Sequence, residues 1–445
     1  MTLYKKLFIR ILLSLPHLTD RYFLMVNIFF LLRSAFTITA LLSCTLYAES
    51  APAVRPGIDM AFSTEHAPFF KNKKIGIVTN HTAISTQNES TINIFLKNAE
   101  KYGYTIKTIF APEHGLKGSA YANKDSPETT YENIPVYFLH GKTSRPTKEM
   151  LEGIDLIIFD IQDLGARSYT YCTTLFYVME EAAKHHIEVT VLDRPNPING
   201  TTIDGPMLDE KFRSGVGYIN VPYCHGMTIG ELALYFNGEY KVGCKLRIIP
   251  MEGWNRKMSF TDTGLIWIPT SPQIPESTTA FFYPTTGMIG EISLVSIGIG
   301  YTLPFKLVGA PWIEAEEFAT KLNAQRFPGV RFEPFHYRPF YGKFSGVDCH
   351  GVLICITDEK IYKPVSTQYL LLGVLKNLYP AKFREAIDTT RIKKMMFDKV
   401  SGTDEIYKIM SGDGYIIWPL VSFNEKERKD FAEKRKKYLL PSYGS

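Results

Sequence analysis

The chain has 445 residues, 45% of them apolar and 21% charged, a balance that excludes a disordered protein and predicts a sizeable core divided over two or three domains. The net charge of +5 is spread along the chain rather than gathered into a stripe, so nucleic acid is not an expected partner. Its 6 cysteines show no CxxC spacing and its 10 histidines no HExxH or paired spacing suited to a metal, so no metal site is expected.

The first 50 residues stand apart. Lys5, Lys6 and Arg10 precede apolar Ile11–Leu15, and a second apolar stretch runs from Phe23 to Ala48, interrupted by Arg33. A basic start followed by a hydrophobic centre is the layout of an export signal. Met25 as the true start would leave one apolar segment, with cleavage after Ala48. Two alternatives stand beside it: an uncleaved membrane anchor, and a lipobox at Leu41-Leu42-Ser43-Cys44 that would make Cys44 a lipid-anchored N-terminus. All three place the body of the protein outside the cytoplasmic membrane, periplasmic or anchored on its outer side. Five cysteines remain beyond this leader (Cys172, Cys224, Cys244, Cys349, Cys355), an odd number that cannot all pair.

From Lys74 onward, short apolar runs alternate with helical stretches. Ile75–Asn80 reads as a strand, Ser90–Tyr102 as a helix, and Thr105–Ala111 as a strand that leads into Pro112-Glu113-His114-Gly115. Leu156–Asp160 follows as a strand, Thr173–His185 as a helix and Glu188–Asp193 as a strand. Near-continuous apolar strands between helices predict an α/β, Rossmann-like first domain whose parallel sheet is covered on both faces. No GxGxxG follows the first strand, so a dinucleotide is not expected. The Pro-rich passage Ile268–Pro275 reads as a linker, after which a helix near Ala315–Ala324, a strand at Gly351–Thr357 and a helix at Gln368–Leu378 predict a smaller α+β C-terminal domain. The expected division is a leader over 1–50, a catalytic domain over 56–277 and a second domain over 278–445, with the active-site cleft between the two.

The predicted parallel strands end in Asn80, Glu113, Asp160 and Asp193. In an open parallel sheet the ligand crevice lies outside the carboxyl ends of the strands, so these four should converge on one edge. The densest polar stretch is Asp160–Tyr171, holding Gln162, Asp163, Arg167, Tyr169 and Tyr171. Arg167 suits a bidentate grip on a substrate carboxylate, while Gln162 and the tyrosines suit sugar hydroxyls and faces. Asp163 could instead cap the following helix. Asn196 lies in the Pro-fixed loop Asp193–Gly200, and His225 just precedes Thr228, which with Glu231 forms a capping-box signature. Glu113 is open to three roles: a catalytic acid, a metal ligand with His114, or a solvated loop residue. Adjacent side chains on an extended loop diverge, which disfavours shared metal ligation, and no GxSxG elbow supports a serine nucleophile. Carboxylate acid/base chemistry of the kind glycoside hydrolysis uses is what remains.

Glu113-His114-Gly115, Asp160–Tyr171, Asp193–Gly200, Gly205-Pro206, His225-Gly226-Met227-Thr228 and Gly309-Ala310-Pro311-Trp312 together resemble, in that order, the bacterial exo-β-N-acetylmuramidase family, formerly a domain of unknown function. The resemblance extends from about residue 56 to the end. It implies release of N-acetylmuramic acid from the non-reducing end of peptidoglycan fragments in cell-wall turnover, without a cofactor. Glu113 would be the catalytic residue, supported by His114, with Asp160, Asp163 and Glu291 competing as its partner. Saccharides of the N-acetylmuramyl-N-acetylglucosamine type are the expected partners. Asn80, Gln162, Arg167, Tyr169, Tyr171, Asn196, His225 and Glu291 would bind them. The pattern departs from the family at Ile297 and Ile299, which stand where an acid and an arginine are usual. Loss of both removes an ion pair as a unit and shifts specificity if either touched substrate. A non-catalytic peptidoglycan-fragment binding protein is the alternative this departure raises.

Overall fold

The computed structural model describes residues 54–120, 129–390 and 394–444; the leader and Cys44 lie outside them. The chain first builds strand β1 (Lys74–Thr79), helix α1 (Thr91–Tyr102), β2 (Thr105–Ala111), and the short hairpin β3 (Thr130–Tyr131) and β4 (Ile134–Phe138). It continues through β5 (Leu156–Asp160), α2 (Thr170–Lys184), β6 (Glu188–Leu192), α3 (Ile229–Glu239) and β7 (Leu246–Ile249). These strands form one sheet in the order β3-β4-β2-β1-β5-β6-β7, parallel except for β3.

Burial on both faces explains the apolar runs. Every residue of β5 and of β6 is buried, and successive residues serve opposite layers. Ile157 and Phe159 pack with Leu175, Phe176 and Met179 of α2, while Leu156 and Ile158 pack with Phe70 and with Phe95 of α1. Local signals set the helix ends. Ser90 caps α1 by accepting from the Asn93 N–H, and Gly103 ends it in the left-handed region. Thr228 and Glu231 form the reciprocal capping box of α3. β1 leads to β2 on one side, and the chain later returns to lay β5 on its other side. The carboxyl ends of β2, β1 and β5 therefore frame the switch point where open α/β sheets bind ligands.

No helix or strand lies between Thr263 and Thr279. The second part then comprises α4 (Thr279–Glu291), β8 (Leu307–Ala310), α5 (Ala315–Ala324), β9 (Val330–Tyr337), β10 (Cys349–Ile356) and α6 (Pro364–Leu378). Short helices follow: α7 (Pro380–Thr390), α8 (Lys394–Ser401), α9 (Glu405–Ser411), α10 (Ile417–Ser422) and α11 (Glu425–Arg435). Its antiparallel sheet has the order β8-β10-β9. Cys172, Cys224, Cys244 and Cys349 are buried thiols and Cys355 a half-buried one; none of the five is in a disulfide. Among the described residues no helix is long and apolar enough to cross a membrane.

Two buried charges tie the parts together. Asp204 accepts from the Val365 and Ser366 backbone N–H groups, both at 2.9 Å, and from the Ser366 hydroxyl at 2.7 Å. It thereby caps α6 from outside that helix, where both the orphan N–H groups and the helix dipole favour an anion. Arg167 is 1% exposed. It donates to the carbonyls of Pro206 (2.7 Å) and Val221 (2.8 Å) on one side and Ser401 (2.7 Å) on the other. Asp204→Ala leaves three buried donors without their acceptor and is expected to lower stability by about 2–3 kcal/mol, measured by urea unfolding. A loss below about 0.5 kcal/mol would contradict this role for Asp204.

Candidate active site

The loop after β2 is shaped by its neighbours. His114 adopts φ 71° and Gly115 φ 77°, and the His114 Nδ1 lies 2.8 Å from the Ala120 carbonyl. Gly118, at φ 72°, leaves no room for a side chain, since a Cβ there would fall 2.0 Å from the His81 ring. His81 is itself held by the Pro269 carbonyl at 2.7 Å, and burial keeps its pKa below the ordinary value. The turn sends His114 into loop contacts and Glu113 toward α2. One carboxyl oxygen of Glu113 accepts from the Thr170 hydroxyl at 2.8 Å, and the other lies 3.5 Å from the His140 Nε2. Thr170 is the first residue of α2 and His140 follows β4, so three elements fix this carboxyl.

Glu113 opens onto a cleft of about 680 Å³. The first part of the chain lines it with Glu113, His140, Ser168, Thr170 and Tyr223, and the second with Tyr283, Glu291, Ile297, Ile299 and Lys343. At its floor Ser168 donates to the Tyr223 hydroxyl at 2.7 Å and lies 3.2 Å from that of Tyr283. Burial pushes the Tyr283 phenol up to about 12, so it stays a neutral donor. Among the described residues lining the cleft, Glu113 and Glu291 are the only carboxylates.

Several polar residues predicted for the site are committed elsewhere. Asp160 is fully buried, paired with Arg194 and accepting from the Thr91 hydroxyl. A carboxylate so enclosed needs both partners to offset its desolvation. Arg167, predicted as a carboxylate grip, spends its guanidinium on backbone carbonyls and cannot reach a ligand in the cleft. Asn80 holds the Thr82 N–H and hydroxyl at 3.0 and 2.6 Å. The Gln162 amide donates to the Asp163 and Pro195 carbonyls, both at 2.8 Å. The Tyr169 and Tyr171 hydroxyls both donate to Thr270, and the Asn196 amide donates to the Met227 carbonyl at 2.9 Å. His225 accepts from the Met227 N–H, and burial drives its pKa down to about 3. Asp193 receives the Thr228 and Tyr443 hydroxyls and the Gly230 N–H. Four strand ends do meet at one edge, but of Asn80, Glu113, Asp160 and Asp193 only Glu113 lines the cleft. The others consolidate the loops around it. Among the described residues no group of three or more His, Cys, Asp or Glu is placed to hold a metal ion.

His140, Ser168, Thr170, Tyr223, Tyr283 and Lys343 also line the cleft and are not among the residues expected from the sequence. Ser168 and Thr170 fall inside the polar stretch after β5. His140-Gly141 ends the apolar run Val136–Leu139 much as His114-Gly115 follows β2, a parallel that could have exposed it. Tyr283 and Lys343 carry no local signal.

A Rossmann-like sheet and a second α+β part, with a cleft lined by a carboxylate from each, define a two-domain α/β protein that carries the groups a glycoside hydrolase needs. Comparison with known proteins agrees. Models of the exo-β-N-acetylmuramidase NamZ N-terminal and C-terminal domains match residues 75–278 and 281–440, and the chain belongs to this family. It is 38% identical over 391 residues to the peptidoglycan β-N-acetylmuramidase NamZ of Bacillus subtilis (strain 168), covering 87% of this chain and 92% of that protein. A crystal structure of a DUF1343 family protein from Bacteroides fragilis NCTC 9343 is similar at 38% identity and a TM-score of 0.80, over 87% of this chain and 99% of its own. A second DUF1343 protein from that strain shares 28% identity at a TM-score of 0.66, over 87% and 98%.

Asp163 lies beside the cleft, with one oxygen accepting from the Gly165 N–H and the other buried without a partner. Burial raises its pKa from 3.8 to about 7, against the pull of the Gly165 and Leu164 N–H groups. Between those values the folded chain holds a proton that the unfolded chain has lost, so this group makes stability fall as pH rises through the window. Asp163→Asn cannot ionise and is expected to remove that part of the slope, on the order of 4 kcal/mol across the window. Urea unfolding of both proteins below and above the window measures it; parallel pH profiles would contradict the assignment.

Proposed function

We propose that this glycoside hydrolase releases N-acetylmuramic acid from the non-reducing ends of peptidoglycan fragments, with Glu113 as the acid that protonates the glycosidic oxygen. The observation that carries the proposal is that, among the described residues lining the cleft, the carboxylates are Glu113 and Glu291, one from each part of the chain. Glycoside hydrolysis needs two such groups, one to protonate the departing oxygen and one to act on the sugar from the other side. Thr170 and His140 orient Glu113, and Glu291 at the end of α4 takes the second role. The Tyr223–Ser168–Tyr283 chain offers neutral hydroxyls to the sugar. His114 shapes the turn that aims Glu113. The substrate is of the N-acetylmuramyl-N-acetylglucosamine type, as the B. subtilis relative's activity on peptidoglycan suggests. The basic and apolar leader directs the enzyme out of the cytoplasm to its polymer, with or without a lipid on Cys44.

Glu113→Gln keeps the shape and the Thr170 hydrogen bond but cannot donate the proton. It is expected to lower kcat on a chromogenic β-N-acetylmuramide by about 10²–10⁴-fold with little change in KM. Steady-state kinetics alongside circular dichroism check this. Wild-type turnover by the variant would remove Glu113 from the mechanism, and binding without any release of product by the wild type would identify a binding protein instead.

A further inference from the structure

N-acetylmuramic acid differs from N-acetylglucosamine by a lactyl ether, which adds one methyl and one carboxylate. Arg167 is unable to bind that carboxylate, because its guanidinium is buried against the Pro206, Val221 and Ser401 carbonyls. The cleft nevertheless contains a cation. Among the described residues that line it, Lys343 is the only lysine or arginine. Lys343 sits on the 338–348 loop between β9 and β10, and four contacts hold that loop in place. Arg338 and Asp348 close its base as a two-bond ion pair, each bond 2.8 Å. The Phe340 N–H donates to the Gly300 carbonyl at 2.7 Å, and the Gly346 N–H to the Pro339 carbonyl at 2.8 Å. The Tyr341 hydroxyl accepts from Gln273 at 2.7 Å. Gly300 is at φ 87°, and a Cβ there would lie 1.9 Å from the Tyr341 carbonyl oxygen; the loop thus packs directly on the segment bearing Ile297 and Ile299.

The Lys343 ammonium lies 4.7 Å from the Phe344 ring centroid, and no carboxylate of the described residues forms an ion pair with it. A cation without an acidic partner, presented beside two isoleucines in a substrate cleft, is complementary to an anion that carries a methyl group. We infer that Lys343 is the specificity-determining residue for the lactyl carboxylate, with Ile297 and Ile299 receiving the lactyl methyl. This assignment rests on the muramidase reading above. It also gives the apolar pair a positive use, since an acid at either position would compete for the ammonium.

The test compares two chromogenic β-N-acetylmuramides, one with the free lactyl acid and one with the lactyl group as its primary amide. The wild type is expected to favour the acid by about tenfold or more in kcat/KM, expressed in KM and weakened by added salt. In Lys343→Gln the acid-to-amide ratio should fall to near unity, while Lys343→Arg should keep most of it. An undiminished ratio in Lys343→Gln, or no acid preference in the wild type, overturns the assignment while leaving the muramidase reading intact. Hydrolysis of neither compound by the folded wild type overturns both.

Discussion

The cleft depends on one buried guanidinium. Arg167 reaches from the loop after β5 to carbonyls at Pro206 and Val221 and, across the seam, to Ser401 at the end of α8. Nearby Ser168 and Thr170 are cleft residues, and Val400, beside Ser401, lines the same cleft from the second part of the chain. Burial pulls the guanidinium down to about 10, which leaves it charged at neutral pH, so each carbonyl it meets is a charge-assisted contact in a low-dielectric setting. Both walls are therefore registered against the same planar group. Gly402 shows how closely they meet, since a Cβ there would sit 2.4 Å from the guanidinium.

The same economy governs the sheet edge. Parallel strands bring Asp160 and Asp193 to the edge that also carries Glu113. Like charges crowded there would be costly unless each is neutralised or hydrogen-bonded. Arg194 answers Asp160, while two hydroxyls and an N–H answer Asp193. Glu113 differs because its strand is extended by a turn that carries the carboxyl past this layer to the cleft. Chemistry is thus confined to one strand end, and the remaining polar groups become scaffold.

The extent to which this could be read in the sequence follows from the range of the interactions involved. Strands such as Leu156–Asp160 are buried on both faces and leave an unbroken apolar run, and the cap at Thr228 with Glu231 is written within four residues. The hairpin β3–β4 leaves no such run, and helices α8 to α10 are only six to eight residues long, too short for a period to stand out. Glu113 is legible because a loop after a parallel strand is a general place for a site. Arg167 is misleading because sequence shows that it can donate five hydrogen bonds but not that backbone carbonyls receive them. Tyr283, Glu291 and Lys343 are brought beside Glu113 only by packing between segments more than 100 residues apart. Glu291 was reached through family resemblance, the other two not at all.

The central claim is that a cleft bearing Glu113 and Glu291 cleaves the bond on the reducing side of a terminal N-acetylmuramic acid. Mass spectrometry of the products from the disaccharide N-acetylmuramyl-N-acetylglucosamine tests it most directly. The account predicts free N-acetylmuramic acid and free N-acetylglucosamine in equal amounts, with neither formed by Glu113→Gln. An intact disaccharide after prolonged incubation with the folded wild type, or equal product from the variant, would contradict it.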